Sequence, residues 1–385
     1  MITTINNKHN KLNVPNLRFK EFQGEWEKTT IGEIATIKNG PFGSVLHAED
    51  YVDEGMPIVT TEHFKSGNLP LSKNGIPQVS EDDYCRLKGY MLETDDIVFS
   101  RVGSVDINAH VEHVQQGWLF SGRVLRVRPI KSVNSLCLHY VLSTESVKRD
   151  IRNRAVGQTM PSINTPILSN TGIYMSQSEA EQKKIANLLS LIDERISTQN
   201  EIIDKLQSLI KGIRNKLFEN DKDWRKAKIR EFLCIGNGKD YKHLDIGDIP
   251  VYGTGGKMLS VNDFLYDGDS VCIGRKGTID TPLFLTGKFW TVDTLFYTYG
   301  FKDVLPKFCY YLFKQINWQL YNEGTGVPSL SKSTIENIKV RIPSIVQQYK
   351  ICYILDSYED KIKNEGLILD LYCSQKQYLL RQMFV

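Results

Sequence analysis

Between Ser178 and Phe218 the apolar residues Ile185, Leu188, Leu189, Ile192, Ile196, Ile203, Leu206, Ile210, Ile213 and Leu217 recur every three to four positions, the spacing of one helix face. A helix of about forty residues is ~60 Å long at 1.5 Å per residue. Ser178 and Glu181 are spaced for a capping box at its start. A second stripe, from about Ser344, passes through Ile351, Leu355, Ile362, Leu369, Tyr372 and Leu379. Gly212 and Gly366 interrupt the two patterns, which predicts kinks or close approaches there. A small domain cannot cover such long stripes, so the pattern predicts that the helices pair with each other as an antiparallel coiled coil. Its seam would comprise Ile185, Leu189, Ile192, Ile196, Ile203, Leu206 and Ile210 on one helix and Ile351, Leu355, Ile362, Leu369 and Leu379 on the other.

The two stripes are copies of one another. EQKKIANLLSLIDERI (181–196) aligns without gaps on QQYKICYILDSYEDKI (347–362), an offset of 166. Upstream, GQTMPSIN (157–164) matches GTGVPSLS (324–331), DDIVFSRVGSV (95–105) matches DSVCIGRKGTI (269–279), and WEKTTIGEIATIKNG (26–40) matches WRKAKIREFLCIGNG (224–238). The order is kept while the offset falls from 198 to 166, so the second copy is the same fold with shorter loops. Each copy begins with a mixed domain. MPIVTT (56–61), DIVFSRV (96–102), GRVLRVRP (122–129), SVCIGRKG (270–277) and FWTVDTLFYTY (289–299) read as short strands, separated by Gly, Asn, Asp and Pro. Residues 137–151 and 307–321 read as one helix per domain. The fold class predicted is α+β: two mixed α/β domains in a pseudo-twofold repeat, separated by a pair of long antiparallel coiled-coil helices.

Composition narrows the function classes. With 48 Lys and Arg against 45 Asp and Glu, the formal charge of +3 excludes a uniformly basic nucleic-acid coat but not positive charge gathered on one face. No apolar run approaches the ~18 residues of a membrane span, and MITTINNKHNKLN lacks the apolar core of a signal peptide. A cytoplasmic protein with no membrane partner is expected. The seven cysteines form no CxxC pair, the closest two being 21 apart, and read as reduced and mostly buried thiols.

Catalytic motifs are absent. The sequence holds no GxxxxGK[ST], no GxGxxG and no [NDS]PP[YFW]. GTGGK (253–257) reads as a hairpin loop, and His110-x-x-His113 lies in a β-like stretch where metal-ligand spacing does not apply, so no metal site is expected. The remaining motifs suit recognition. FSRVGSV (99–105) and IGRKGTI (273–279) set Arg beside Gly after a strand. Arg can donate two hydrogen bonds to guanine O6 and N7, and Gly admits a phosphate close to the backbone. The candidate contacts here are Arg101, Gly103 and Ser104 in the first copy, and Arg275, Lys276, Gly277 and Thr278 in the second. The alternative is a tight turn with a solvated arginine. Gly157, Gln158, Ser162 and Asn164, with Thr325, Ser329, Ser331 and Lys332, form a second candidate pair of loops. A domain-closing connection before each long helix is the equal alternative for them. Thr60, Thr61 and Glu62 follow a strand equivalent to the one before YGTGG (252–256) and are candidates by position.

Two variable domains alternating with two repeated long helices resemble the specificity subunit of a Type I restriction–modification enzyme. The resemblance spans residues 14–385 and rests on VPNLRFKEFQGEW (14–26), the W-x-K-x-x-I start of each half, G-x-x-x-P-S-[IL] and the Q-x-x-I helices. Residues 1–16, rich in Asn and Lys, read as a flexible leader, and the resemblance implies a target-recognition domain (17–176), a central spacer helix (177–220), a second target-recognition domain (221–343) and a C-terminal spacer helix (344–385). The subunit would be non-catalytic and would read a split double-stranded DNA site. It would dock two methyltransferase subunits and up to two restriction subunits. S-adenosylmethionine, ATP and Mg²⁺ would belong to those partners, with no cofactor bound by this chain. A stand-alone DNA-modifying enzyme and a protein-only coiled-coil scaffold remain the alternatives from the residues themselves.

Overall fold

The computed structural model of the protein describes residues 2–4, 13–41, 46, 48–219 and 223–385. It divides into two units, Met1–Thr198 with Leu369–Val385, and Gln199–Ile368.

In the first unit, strands rich in β-branched residues form an antiparallel sheet in the order Ala35–Asn39, Val124–Pro129, Ile97–Ser100, Asn108–His110. The second unit repeats that order with Cys234–Gly236, Leu295–Tyr299, Ser270–Gly274 and Leu283–Leu285. Ile97–Ser100 and Ser270–Gly274 are buried along their whole length, which is why both read as unbroken apolar runs. A smaller sheet in each unit contains one parallel pairing, Ile58–Val59 with Leu119–Phe120 and Val251–Tyr252 with Trp290–Thr291. An antiparallel ribbon closes each domain, Glu27–Thr30 on Gly172–Met175 and Arg225–Lys228 on Lys339–Ile342. GTGGK is a hairpin turn, with Gly253 opposite Gly256. Of the leader, Ile2–Thr4 pair with Leu17–Phe19, and 5–12 lie outside the described residues.

The single helix expected in each domain is broken. Ser135–Leu142 stops at Ser143 and Thr144, whose hydroxyls donate to the carbonyls of His139 and Val141 before Glu145–Arg154 begins. Such side-chain bonds compete with the helix ladder. Pro306–Phe313 is likewise followed by a separate 3₁₀ turn at Trp318–Tyr321.

The long helices are Glu179–Glu219 and Ile345–Gln382. Their directions oppose. In the first unit Lys376 Nζ lies 2.5 Å from Asp193, and Arg195 sits over the Tyr372 ring. In the second unit Gln199 donates to the carboxylate of Glu365 at 2.6 Å and to its carbonyl at 3.0 Å. The apolar stripe, however, does not serve helix pairing alone. Ile185, Leu189 and Ile192 are buried in the core of the first domain together with Leu379 and Met383. Ile351 and Leu355 are buried in the core of the second, against which Ile210, Ile213 and Leu217 also pack. At each end the two helices thus share a domain core rather than a separate seam. Gly212 and Gly366 mark no close approach, because a Cβ at either would meet open space.

Helix starts are tied down by buried polar side chains. Glu181 Oε1 and Oε2 accept from Arg18 at 2.6 and 2.8 Å, and Oε2 also accepts from Ser176. The reciprocal half of the Ser178–Glu181 box is therefore missing, although Glu181 N still donates to Ser178. In the second copy the reciprocal half is present, since Ser344 N and Oγ both donate to the side chain of Gln347. One position later the copies agree. Gln182 Oε1 accepts from Asn134 N at 2.7 Å while its amide donates to the Ser176 carbonyl. Gln348 accepts from Leu305 N at 2.8 Å and donates to the Pro343 carbonyl. Both glutamines are buried, so the Q of Q-x-x-I clamps the start of each short helix to the start of the long one. Among the described residues, no helix is long and apolar enough to cross a membrane.

Candidate nucleic-acid interface

The two loop motifs singled out in the sequence are parts of one structure. In the first unit Gly103 N donates to Pro161 O, Ile163 N donates to Arg101 O, and Val102 bridges Ser162. In the second, Gly277 N donates to Pro328 O, Leu330 N donates to Arg275 O, and Lys276 bridges Ser329. The same residues of both motifs are paired in the same register. Gly103 and Gly277 have φ of +83° and +88°, which only glycine adopts at no steric cost. The Arg–Gly element is thus a tight turn, and the turn is what aims the arginine.

A third loop holds each guanidinium. Arg101 N donates to Arg123 O and Arg101 Nη1 to Gly122 O at 3.1 Å. Arg275 N donates to Thr294 O and Arg275 Nη1 to Asp293 O at 3.5 Å. A fourth segment, Asn39-Gly40 and its counterpart Asn237-Gly238, runs against the same loop. A Cβ on Gly40 would stand 1.9 Å from Ser121 O, and one on Gly238 1.9 Å from Val292 O. Both NG pairs were visible in the repeat, but nothing local distinguished them from ordinary turns. Arg123 and the segments 121–122 and 292–294 lie at or inside stretches read only as strands, and nothing in the sequence marked them as part of a site.

In the first unit these loops surround a cleft of about 470 Å³ lined by Tyr51, Thr60, Thr61, Glu62, Arg101 and Arg123, with Pro41, Ser121 and Gly122. Arg101 Nε and Ser121 Oγ are buried here without a hydrogen-bond partner among the described residues, an uncommon state for polar groups. Thr60 N donates to His63 Nδ1 at 3.0 Å, and burial lowers the His63 pKa from its ordinary value. Glu62 pairs with Lys65. In the second unit the hairpin tip takes the place of Thr60–Glu62, since Thr254 Oγ1 lies 3.7 Å from where a Cβ of Gly277 would be.

The other expected residues divide. Ser104, Gly157, Gln158, Thr278 and Thr325 are exposed on the loops. Ser162 Oγ donates to Val156 O, and Ser329 N donates to Asn322. Asn164 and Ser331 do different work: they are N-caps, accepting from Ile167 N and Thr334 N. Lys332 pairs with Glu336 on the same short helix. His110 contacts Asp95 at 3.2 Å, and no metal-holding group of His, Cys, Asp or Glu occurs among the described residues. Of the cysteines, Cys137, Cys272, Cys309 and Cys352 are buried, while Cys85, Cys234 and Cys373 are exposed. Burial pushes the Cys137 thiol up to about 12, which suits an inert thiol.

Comparison with known proteins agrees with this organisation. The family model described as Type I restriction modification DNA specificity domain matches twice, over residues 23–208 and 221–370. Two specificity subunits of Methanocaldococcus jannaschii are similar along most of their length. The one assigned to type I restriction enzyme MjaX is 25% identical over 89% of each chain. The MjaVIII specificity subunit is 22% identical over 90% of each. Among solved structures, the S subunit of a Type I restriction–modification system from M. genitalium superposes with a TM-score of 0.64, at 19% identity, covering 97% of this chain and 99% of that one. A chain from a study of type I restriction–modification complex assembly gives 0.57 at 13% identity, covering 93% and 97%.

Proposed function

Because the chain belongs to the Type I restriction–modification DNA specificity family, we propose that it selects the DNA on which such a complex acts by reading a split site, one half with each repeat. The observation that carries the reading is the repeated loop cluster. In both units an arginine held by a neighbouring carbonyl, a positive-φ glycine and the P-S loop are locked in one register. A fixed guanidinium suits bidentate readout of guanine, and the surrounding amides and hydroxyls suit phosphate and base edges. The loops differ between the copies where they would meet bases: Arg123 in the first corresponds to Thr294 in the second, and Thr60–Glu62 to a glycine hairpin. The two half-sites should therefore differ.

In this reading the chain performs no chemistry. Methyltransferase subunits dock on the long helices and restriction subunits complete the assembly, with S-adenosylmethionine, ATP and Mg²⁺ serving those partners. Co-expression with a methyltransferase subunit, followed by single-molecule sequencing of methylated host DNA, tests it. A bipartite motif that disappears without this chain is expected. DNA modification by the purified chain alone would favour a stand-alone enzyme, and assembly with no DNA binding would favour a scaffold.

A further inference from the structure

The two P-S loops also agree just before the proline. In GQTMPSIN and GTGVPSLS that residue is Met160 in the first copy and Val327 in the second. Each is 63% exposed. A lone apolar side chain on a surface needs no explanation, but the same exposure at the same place of both repeats does. The backbone around them is built alike. Val156 and Ser162 exchange both backbone hydrogen bonds at the foot of the first loop, and Glu323 N donates to Ser329 O at the foot of the second. A Cβ on Gly157 would stand 2.8 Å from Met160 O, and one on Gly324 2.1 Å from Val327 O. Each glycine thus lets the loop close tightly over the carbonyl of the apolar residue that follows it.

The next residue ties each loop to its arginine turn. Pro161 O accepts from Gly103 N, and Pro328 O from Gly277 N. Met160 and Val327 are therefore carried on the same frame as Arg101 and Arg275. A phosphate offers an apolar side chain nothing to cover. At a base edge the apolar group is the thymine C5-methyl, which lies in the major groove, where arginine meets guanine O6 and N7. The other apolar use of a side chain on DNA is a wedge between base steps in the minor groove, made by Phe, Leu, Ile, Met or Pro. Val327 ends at its Cγ methyls and is too short to be one. Contact with a methyl group is the use that fits both repeats.

We propose that Met160 and Val327 are specificity-determining residues, each packing against the C5-methyl group of a thymine in the half-site that its repeat reads. Under the function proposed above, on which this assignment rests, every half-site then contains at least one A·T pair recognised by its methyl. Both side chains are mostly exposed, so neither supports a core, and their removal should leave folding intact. Losing one buried methyl-sized group corresponds to about fourfold in affinity.

The test uses the full chain assembled with its methyltransferase subunits and a labelled duplex carrying the methylated motif. Each thymine of each half-site is replaced in turn by deoxyuridine, which lacks only the methyl. Wild type should lose about fourfold in affinity at one thymine per half-site. Met160→Ala should bind the thymine and deoxyuridine duplexes equally in the first half-site and keep the discrimination in the second. Val327→Ala should do the reverse, and both should melt as wild type does. A wild type indifferent to every thymine methyl would overturn the proposal, as would discrimination that survives in the variants. A half-site with no A·T pair would overturn it for that repeat. An even loss over all duplexes in Met160→Ala, with unstacking at a neighbouring 2-aminopurine seen only in wild type, would make the side chain a wedge and overturn the methyl contact. Loss of methyltransferase from the variant assemblies would make the loop a protein contact instead. Failure of the wild-type assembly to bind the motif at all would overturn the functional reading itself.

Discussion

At the scale of the residue, Arg101 and Arg275 stand at equivalent turns, the first half-buried and the second exposed, and should act separately. Arg101→Ala should weaken or relax one half-site and Arg275→Ala the other, each by ~1–3 kcal/mol if the contact is to a base. Methylated motifs or binding to half-site variants would register the change. An even loss over all sequences with a flatter salt dependence would mean a phosphate contact. Gly103 and Gly277 bear the turn that aims them. Alanine at either position forces a left-handed backbone costing about 1–2 kcal/mol, so Gly103→Ala should lower the melting temperature and the half-site affinity together. His63 adds a pH dependence. Its Nδ1 accepts from Thr60 N, which requires the neutral ring, and burial lowers its pKa below the ordinary 6.5. A depressed histidine contributes stability that is present at neutral pH and lost as pH falls through the lowered value. Titration should loosen the 60–64 segment under mild acid, with no such transition in His63→Asn. Amide exchange at Thr60 is the measurement, and a flat profile in wild type would remove His63 from the loop's stability.

At the scale of the element, the helix starts show how a sequence pattern hides its reason. Q-x-x-I looks like a helical motif with one polar position, yet Gln182 and Gln348 are buried clamps. Replacing either with Ala leaves a backbone N–H, that of Asn134 or Leu305, without its partner. A buried unmet donor costs ~1–3 kcal/mol. Gln182→Leu should destabilise the first domain and Gln348→Leu the second, each seen as faster hydrogen exchange at the start of its own helix pair. If exchange rises equally in both domains after one substitution, the clamps are not local. The stripe itself was legible from its period. Its division was not, because Ile185 and Ile203 are indistinguishable by spacing although the first is in a domain core and the second half-buried.

At the scale of the molecule, each unit holds the C-terminal end of one long helix against its own domain. Trp26 meets Phe384 edge-on at 5.9 Å, and Trp224 meets Phe218 edge-on at 5.6 Å. The end of the second helix thus stands to the first domain as the end of the central helix stands to the second. Phe384→Ala, at a buried position, should cost about 3–5 kcal/mol and release the first domain to limited proteolysis while the second stays resistant. Equal protection of both would show that the contact contributes little. The helices also offer a ruler. Gln199 is bonded to Glu365, so four residues added on one helix alone would shift it against the other. Four-residue insertions after both positions nearly preserve the facing surface and add ~6 Å. Under the proposed function the gap in the methylated motif should grow by about one or two base pairs, at ~3.4 Å per step, with both half-sites unchanged. An unchanged gap would show that the helices do not set it.

The sequence by itself determined the repeat, the two long helices and the identity of most strands, because those depend on periodicity and on turn residues within a few positions. It also named Arg101, Arg275 and the P-S loops, since a motif occurring twice in order is hard to attribute to chance. Tertiary structure decided what those motifs are to one another. Gly103 and Pro161 are far apart in the chain, and only strand pairing brings them into one ladder. The same long-range pairing recruited Asn39-Gly40 and Ser121–Arg123, whereas Asn164 and Ser331 cap short helices through bonds to residues three positions on. Hydrogen-bond partners across a sheet and burial in a shared core are relations between distant segments, which no local pattern of residues contains.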